Sequence, residues 1–331
     1  MQSIFTRVAA LALLALAFPL TASSQAYPNK LVRIVVPTAP GNAADITARL
    51  LTERLGKRFG QPVIVENRPG GAATGSIAAV GVAKSPPDGH TLLFTSTSFT
   101  INTAMFAQLP YDVEKDFEAI ALTGEVGMVL ITAPNSPVTS VAQFMEVAKK
   151  DPGKYNYAIV GRGSIQHLTM ELFLSAIGAE MQAVPYKGSA PAMVDVMSGT
   201  IPFMFDALSS ATSYVTSGRV KALAVGMQKR AAALPNVPHM GETGIPGLAK
   251  FEVIGWVGIV APKGTPKAIV DTLNENIMQA VQEKEIKDKL ATMGVEVPAP
   301  HPPEKFRDFL RDQVQKWDAA ARSAKIQKQK D

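Results

Sequence analysis

Glu125-Val126-Gly127-Met128-Val129-Leu130-Ile131-Thr132-Ala133-Pro134 and Ile254-Gly255-Trp256-Val257-Gly258-Ile259-Val260-Ala261-Pro262 are built alike. Each is a long apolar run closed by Ala-Pro, with a second proline (Pro137, Pro266) near the start of a helical pattern. Apolar runs rich in β-branched residues, ended by a residue that cannot donate to a sheet, predict buried strands. Between them lies a full alternation of strand and helix patterns at 155–160, 164–177, 181–185, 190–197, 201–205 and 220–226. A matched pair bracketing a complete α/β set reads as two crossings between domains, the central set being inserted into the first. Two ordinary strand–helix units of one large sheet would give the same pattern, and the residues alone leave both open.

The amino-terminal flank continues the alternation. Leu31-Val32-Arg33-Ile34-Val35-Val36 reads as a strand stopped by Pro37, and 43–59 as a helix, with Ile46, Leu50, Leu51 and Leu55 near helical spacing before Gly60. Val63-Ile64-Val65 (strand), 75–84 (helix) and Thr91-Leu92-Leu93-Phe94-Thr95 (strand) follow, the last two separated by the turn Pro86-Pro87-Asp88-Gly89. Such alternation with short loops predicts open, mostly parallel sheets flanked by helices. Beyond Pro303, the residues Phe306, Phe309/Leu310, Gln313/Val314, Trp317 and Ala320/Ala321 make a mostly apolar helical stripe, a packing face. The basic end at 325–330 reads as a frayed tail rather than a nucleic-acid arm.

Composition narrows the classes. Of 331 residues, 47% are apolar and 18% charged, which excludes disorder, collagen and coiled coil. Lys+Arg 33 against Asp+Glu 28 leaves a thinly spread charge of +5, which favours solubility and does not call for nucleic acid. The absence of cysteine removes disulfides, thiol nucleophiles, Cys-zinc sites and a lipid-anchored cysteine. Residues 1–26 have one cation (Arg7), an apolar stretch at 8–20 and the polar end Thr21-Ala22-Ser23-Ser24-Gln25-Ala26. This predicts a secretory leader cut after Ala26 and, in a bacterium, a periplasmic protein. The stretch falls short of the roughly 20 residues that span a bilayer, so the mature chain is not expected to be membrane-embedded.

Catalytic and cofactor motifs are missing. His90, His167, His239 and His301 are scattered, and no His-Glu-x-x-His, Gly-x-Ser-x-Gly or phosphate-binding Gly-x-x-x-x-Gly-Lys motif occurs. Gly161-Arg162-Gly163-Ser164-Ile165-Gln166 has Gln166 where a dinucleotide fingerprint needs glycine, so neither cofactor nor metal is expected. A simpler device recurs: strands end in small or hydroxylated residues just ahead of helices. Pro40-Gly41-Asn42 precedes the first helix, with Asn42 as N-cap and Asp45 three residues on. Thr95-Ser96-Thr97-Ser98, Gly163-Ser164 ahead of His167, Tyr186-Lys187-Gly188-Ser189, and Asp206 after Phe203-Met204-Phe205 complete the set. Ordinary capping explains any one of these loops. Together, at the carboxyl ends of strands, free helix-start amides and hydroxyls predict a cleft suited to a small carboxylate.

The chain resembles the substrate-binding proteins of tripartite tricarboxylate transporters, the Bug (Bordetella uptake gene) family. The carrying segments begin with Tyr27-Pro28-x-Lys30, Val36-Pro37-x-x-Pro40-Gly41, Asp45-x-x-Ala48-Arg49, and Gly60-Gln61-Pro62-Val63 leading to Glu66-Asn67-Arg68-Pro69-Gly70. Pro87-Asp88-Gly89-His90-Thr91-Leu92, Tyr111-Asp112 with Asp116-Phe117, and Gly163-Ser164-x-x-His167-Leu168 follow. Val184-Pro185-Tyr186-Lys187-Gly188, Leu223-Ala224-Val225, Leu234-Pro235-x-Val237-Pro238 and Ala261-Pro262-x-Gly264-Thr265-Pro266 extend the likeness almost to the end.

The resemblance implies an α/β, two-lobed periplasmic-binding-protein fold of the type II kind. Each lobe is a mixed, mostly parallel sheet flanked by helices, and two crossing strands join them. Residues 27–125 and 256–331 would form the first lobe and 126–255 the second. The lobes would close on one small carboxylate or dicarboxylate, held by amides, hydroxyls and bridging waters, for delivery to the transporter's membrane subunits. By position, the first-lobe loop is Pro40-Gly41-Asn42-Ala43 with Asp45, opposite Gly163, Ser164, His167, Tyr186, Lys187, Gly188 and Asp206. Thr95 and Ser96 are further candidates. Asn42 stands where the family often has a second glycine, and 71–76 departs from its glycine-rich run, so Thr74 and Ser76 are uncertain contacts. Phe99 either flanks a ligand or packs in the core, and His167 either touches ligand or sits behind it. Gly127, Gly255 and Gly258 are expected as permissive hinge positions. A monomer is expected, with no enzymatic turnover. The competing readings are a sensory ligand-binding subunit for a membrane kinase and an exported hydrolase or lyase using Ser164, His167 and Asp206.

Overall fold

The computed structural model describes residues 27–40, 43–71, 73–150, 153–323 and 326–329. The expected leader at 1–26 and two candidate site residues, Gly41 and Asn42, lie outside the described residues.

The chain opens with β1 (Val32–Val36), α1 (Ala43–Phe59), β2 (Val63–Asn67), α2 (Ser76–Ala83), β3 (Thr91–Ser96) and α3 (Ser98–Met105). Strand β1 pairs in parallel with β2 on one side and β3 on the other. Alternate residues of β1 explain its place: Val32, Ile34 and Val36 are fully buried beneath Leu51 and Leu55 of α1. Asp45 in the first turn of α1 and Lys57 and Arg58 in its last complement the helix dipole.

Strand β4 (Phe117–Thr132) is the axis of the molecule. Its first part, Phe117 to Gly127, runs antiparallel to β9 (Ile254–Pro262), which itself pairs antiparallel with β3. Its last part, Met128 to Thr132, leaves that sheet and pairs antiparallel with β7 (Phe203–Ala207) and β8 (Lys221–Val225). The second sheet is completed by β5 (Asn156–Ile159), parallel to both β7 and β6 (Gln182–Pro185). Between these strands run α4 (Val141–Lys150), α5 (Ile165–Ile177), α6 (Ser189–Ser198) and α7 (Leu208–Thr216). After β9 come α8 (Lys267–Gln282), α9 (Lys284–Thr292), the short β10 (Val295–Glu296) against β4, and α10 (Pro303–Ser323). Among the described residues no helix is long and apolar enough to cross a membrane.

Two cores result. Phe144, Phe173 and Phe203 meet edge-on at 4.5–5.1 Å in the second, each burial contributing about 1.5–3 kcal/mol before entropy is counted. Helix α3 and the end of α10 belong to this same cluster: Ile101, Met105 and Phe106 join Trp317 and Ala321 against Leu168 and Phe173. The helix entering from the first sheet thus carries the contact with the second.

Several expectations are corrected. Asp206 lies inside β7, opposite Val129, rather than after the strand. The carboxyl-terminal segment is not frayed over its described part. Ala107 N donates to Gln329 O (3.0 Å), Gln329 N to Met105 O (2.8 Å) and Lys328 Nζ to Thr103 O (2.9 Å), pinning 326–329 to the end of α3. The three expected hinge glycines are places of close packing. A Cβ on Gly127 would fall 2.3 Å from Met227 Sδ, and one on Gly258 would fall 2.5 Å from the Phe306 ring.

Candidate functional site

Parallel strands deliver their following loops to one edge, and β1, β3 and the start of α2 meet there. They line a hollow of about 30 Å³ with the hydroxyl side chains Thr38, Thr74, Thr95, Ser96 and Ser98. Thr38 Oγ1 is buried and has no hydrogen-bond partner among the described residues. The neighbouring Thr97 turns away, its hydroxyl accepting from Trp256 N at 2.7 Å. Phe99 also borders the hollow, but it stacks on Tyr111 with ring centres 5.1 Å apart and is buried, so it packs in the core.

Asp45 is buried and serves the loop. Asn67 Nδ2 donates to Thr38 O (3.0 Å) and to Asp45 Oδ1 (2.9 Å), while Arg49 Nε donates to Asp45 Oδ2 (3.0 Å). Asn67 thereby ties both the chain after β1 and the first turn of α1 to the end of β2. Pro40 is exposed at the limit of the described segment, and Ala43 opens α1.

The second sheet contributes the loop between β5 and α5. Thr74 Oγ1 donates to Arg162 O at 3.0 Å, joining the two edges directly. Asn102 of α3 braces this contact through Nδ2, which donates to Thr74 O (3.1 Å) and Tyr111 Oη (3.0 Å); its Oδ1 is buried without a partner among the described residues. Gly163 adopts φ +73°, and a Cβ there would lie 2.6 Å from Asn102 Oδ1 and 2.7 Å from Phe106 Cε2. Only glycine fits this approach. The two edges therefore touch, and the hydroxyl-lined hollow beside the contact is about the size of one water molecule.

Behind the loop, Ser164 caps α5 by accepting from His167 N at 3.3 Å. Gly163 N donates to His167 Nδ1 at 3.4 Å, which places the imidazole proton on Nε2, 3.9 Å from Glu171. Burial, aided by the positive charge of Arg162, pushes the His167 pKa down to about 4, so the ring is neutral. Asp206 is fully buried and accepts from Gln166 Nε2 (3.2 Å), Ala207 N (2.9 Å) and the Ser189 hydroxyl. Burial raises its pKa to about 6 against the lowering effect of those donors. Ser164, His167 and Asp206 thus share no hydrogen-bond relay, and Asp206 is a strut joining the starts of α5 and α6. Tyr186 donates its hydroxyl to Asp195 Oδ2 (2.6 Å), Gly188 takes φ +123°, and Lys187 is exposed.

The structure therefore places Thr95 and Ser96 on the hollow and Gly163 at the contact between the edges, while Asp45, Ser164, His167 and Asp206 are buried and hydrogen-bonded within the protein. Thr38, Asn102 and Arg162 are the members that sequence reasoning did not single out as contacts. A larger hollow of about 730 Å³ lies elsewhere, between α8 and the 300–302 segment. It suits an acid poorly, because it carries Glu275 and Glu283 and its Arg58 already pairs with Glu283 at 2.9 Å. Among the described residues no group of three or more His, Asp or Glu is placed to hold a metal ion.

Comparison with known proteins gives this geometry a context. Residues 47–325 match the family described as the tripartite tricarboxylate transporter family receptor. The chain belongs to that family. Protein BugT of Bordetella pertussis is 34% identical to this receptor over 302 residues, which covers 91% of each chain. The solved structure "R. palustris Rpa4515 with adipate" superposes with a TM-score of 0.86 at 32% identity, covering 92% of the receptor and 100% of that chain. "MatC (Rpa3494) from Rhodopseudomonas palustris with bound malate" gives 0.83 at 31%, covering 89% and 99%. The receptor has the two-lobed α/β architecture of such periplasmic binding proteins, with β4 passing from one sheet to the other.

Proposed function

We propose that this receptor is exported, shuts on a small carboxylate or dicarboxylate without altering it, and presents it to the membrane subunits of a tripartite tricarboxylate-type transporter. The observation that carries the reading is the pair of touching edges, a hydroxyl-lined hollow on one sheet whose Thr74 is hydrogen-bonded to Arg162 in the Gly161–Gly163 loop of the other. Neutral donors of this kind hold a carboxylate without a permanent counter-ion, as helix starts do. The ligand-bound relatives named above agree with the chemistry. On this proposal 27–125 and 256–331 move against 126–255, β4 and the start of β9 being the crossings. Contacts that exist only when the edges meet favour the shut form once ligand is present. Thr38, Thr74, Thr95, Ser96, Gly163 and Ser164 face the ligand.

The test is a thermal-melt screen of the chain from Tyr27 onward against carboxylic acids of graded length and charge. A true ligand adds about 2.7 kcal/mol of stability at a hundredfold excess over its Kd. A panel in which no acid raises the melting point, or in which a bound acid is chemically converted, would overturn the proposal.

A further inference from the structure

Arg162 sits between two glycines at φ +136° and +73°, and its carbonyl is fixed by Thr74 from the opposite sheet. Its side chain is exposed, and among the described residues no carboxylate pairs with it. Lys187 follows the neighbouring strand: Ile159 of β5 is in register with Pro185 of β6, and Tyr186 N donates to Ile159 O at 2.8 Å. It too is exposed and unpaired among the described residues. Two cations thus stand at the same edge of the second sheet. The carboxylates beneath them are occupied by neutral donors: Glu171 by the Tyr157 hydroxyl, Asp195 by Tyr186 and Asp206 by Gln166 and Ser189. The His167 ring brings no charge of its own.

The hollow of the first sheet holds hydroxyls, which satisfy one carboxylate, while the Arg162 charge, felt by His167 and by the Tyr157 hydroxyl, enters no ion pair among the described residues and is left for a second. Resting on the receptor reading above, we infer that Arg162 determines specificity for dicarboxylates by binding the second, distal carboxylate of the ligand. Of the two cations, Arg162 is the one whose backbone is joined to the first sheet when the edges meet, and its planar fork matches a carboxylate in two-point fashion. Lys187 adds field of the same sign.

The experiment compares acids of equal length that differ only in the far carboxylate: succinate with butyrate, glutarate with pentanoate, and adipate with hexanoate. Calorimetric Kd values are measured for wild type, Arg162→Gln, Arg162→Lys and the remote charge control Lys250→Gln. The inference expects wild type to prefer the diacid in at least one pair by roughly tenfold or more, the scale of one charge-assisted hydrogen bond. Arg162→Gln should bring that ratio close to one, Arg162→Lys should keep part of it, and Lys250→Gln should keep it whole. A ratio that survives Arg162→Gln, or a wild type that takes both members of every pair equally, overturns this inference and leaves the receptor reading standing. A wild type that binds no member of any pair overturns both.

Discussion

Gly163→Ala separates the cost of a backbone conformation from the cost of closure. At φ +73° any Cβ is strained by about 1–2 kcal/mol, whether or not the two edges touch. On the closure proposed above, the contacts at 2.6 Å with Asn102 Oδ1 and 2.7 Å with Phe106 Cε2 belong to the shut form. Relieving them costs the about 1–3 kcal/mol typical of overpacking, charged to the shut form alone. The first contribution appears as a lower melting point without ligand. The second appears as weaker binding, roughly 5- to 150-fold for a coupling of that size. Calorimetry on the best acid from the screen measures it, and solution scattering with saturating ligand reports whether the shut shape is still reached. Adding Phe106→Leu to Gly163→Ala should restore part of the affinity, giving a non-zero coupling in the double-mutant cycle. A Gly163→Ala protein that melts lower yet binds with wild-type affinity would show that this contact has no part in closure.

His167 and Asp206 titrate in opposing senses. The folded pKa of His167, about 4, is below its ordinary 6.5, so the stability it contributes is complete above 6.5 and is lost as pH falls through 4. Asp206 is raised from 3.8 to about 6, so its contribution is complete below 3.8 and is lost as pH rises through 6. Each amounts to on the order of 3 kcal/mol, and they offset each other between pH 4 and 6. Denaturant melts across that window should show His167→Gln becoming less stable and Asp206→Asn more stable as pH rises; parallel slopes would refute the assignment. Thr38→Val removes a buried hydroxyl that has no partner among the described residues, so melting should hold or improve by up to about 1 kcal/mol while acid affinity falls; unchanged affinity would take Thr38 out of the site. Deleting 326–331 removes two backbone hydrogen bonds at Met105 and Ala107, for a loss of about 1–3 kcal/mol. Faster amide exchange at Ala107 would register it, and unaltered protection would contradict it.

How far the sequence could be read depended on whether the signal was local. Helix 43–59 and strand 254–262 are legible to the residue, because apolar spacing and the stops at Gly60 and Pro262 are written in the chain itself. Strand β4 is legible only from Glu125 onward. Glu118, Thr123 and Gly124 interrupt its earlier apolar run, and the ladder with β9 is what extends it back to Phe117. Helix α3, Ser-Phe-Thr-Ile-Asn-Thr-Ala-Met, has weak helix formers and is held by its tertiary neighbours. The loops around Thr95 and Gly163 could be found as strand-to-helix turns. The roles of Asp45, His167 and Asp206 could not, since each depends on a partner from another element: Asn67, the Gly163 amide, and Gln166 with Ser189. Asn102 has no pattern around it at all, and matters only because Gly163 arrives from the other sheet.

Strand β4 runs unbroken for 16 residues and is hydrogen-bonded along both of its parts. A link of that construction behaves as a torsion bar rather than a string. It permits twisting about its length but resists sliding and splaying, so on the closure proposed above the swing of one half relative to the other would follow a narrow arc and tend to return. Its slack is concentrated where the ladder slips register, at Ala119/Ala121, Leu122/Gly124 and Leu130/Ile131. Substitutions at those steps, though remote from any bound acid, would retune how readily the jaws spring back.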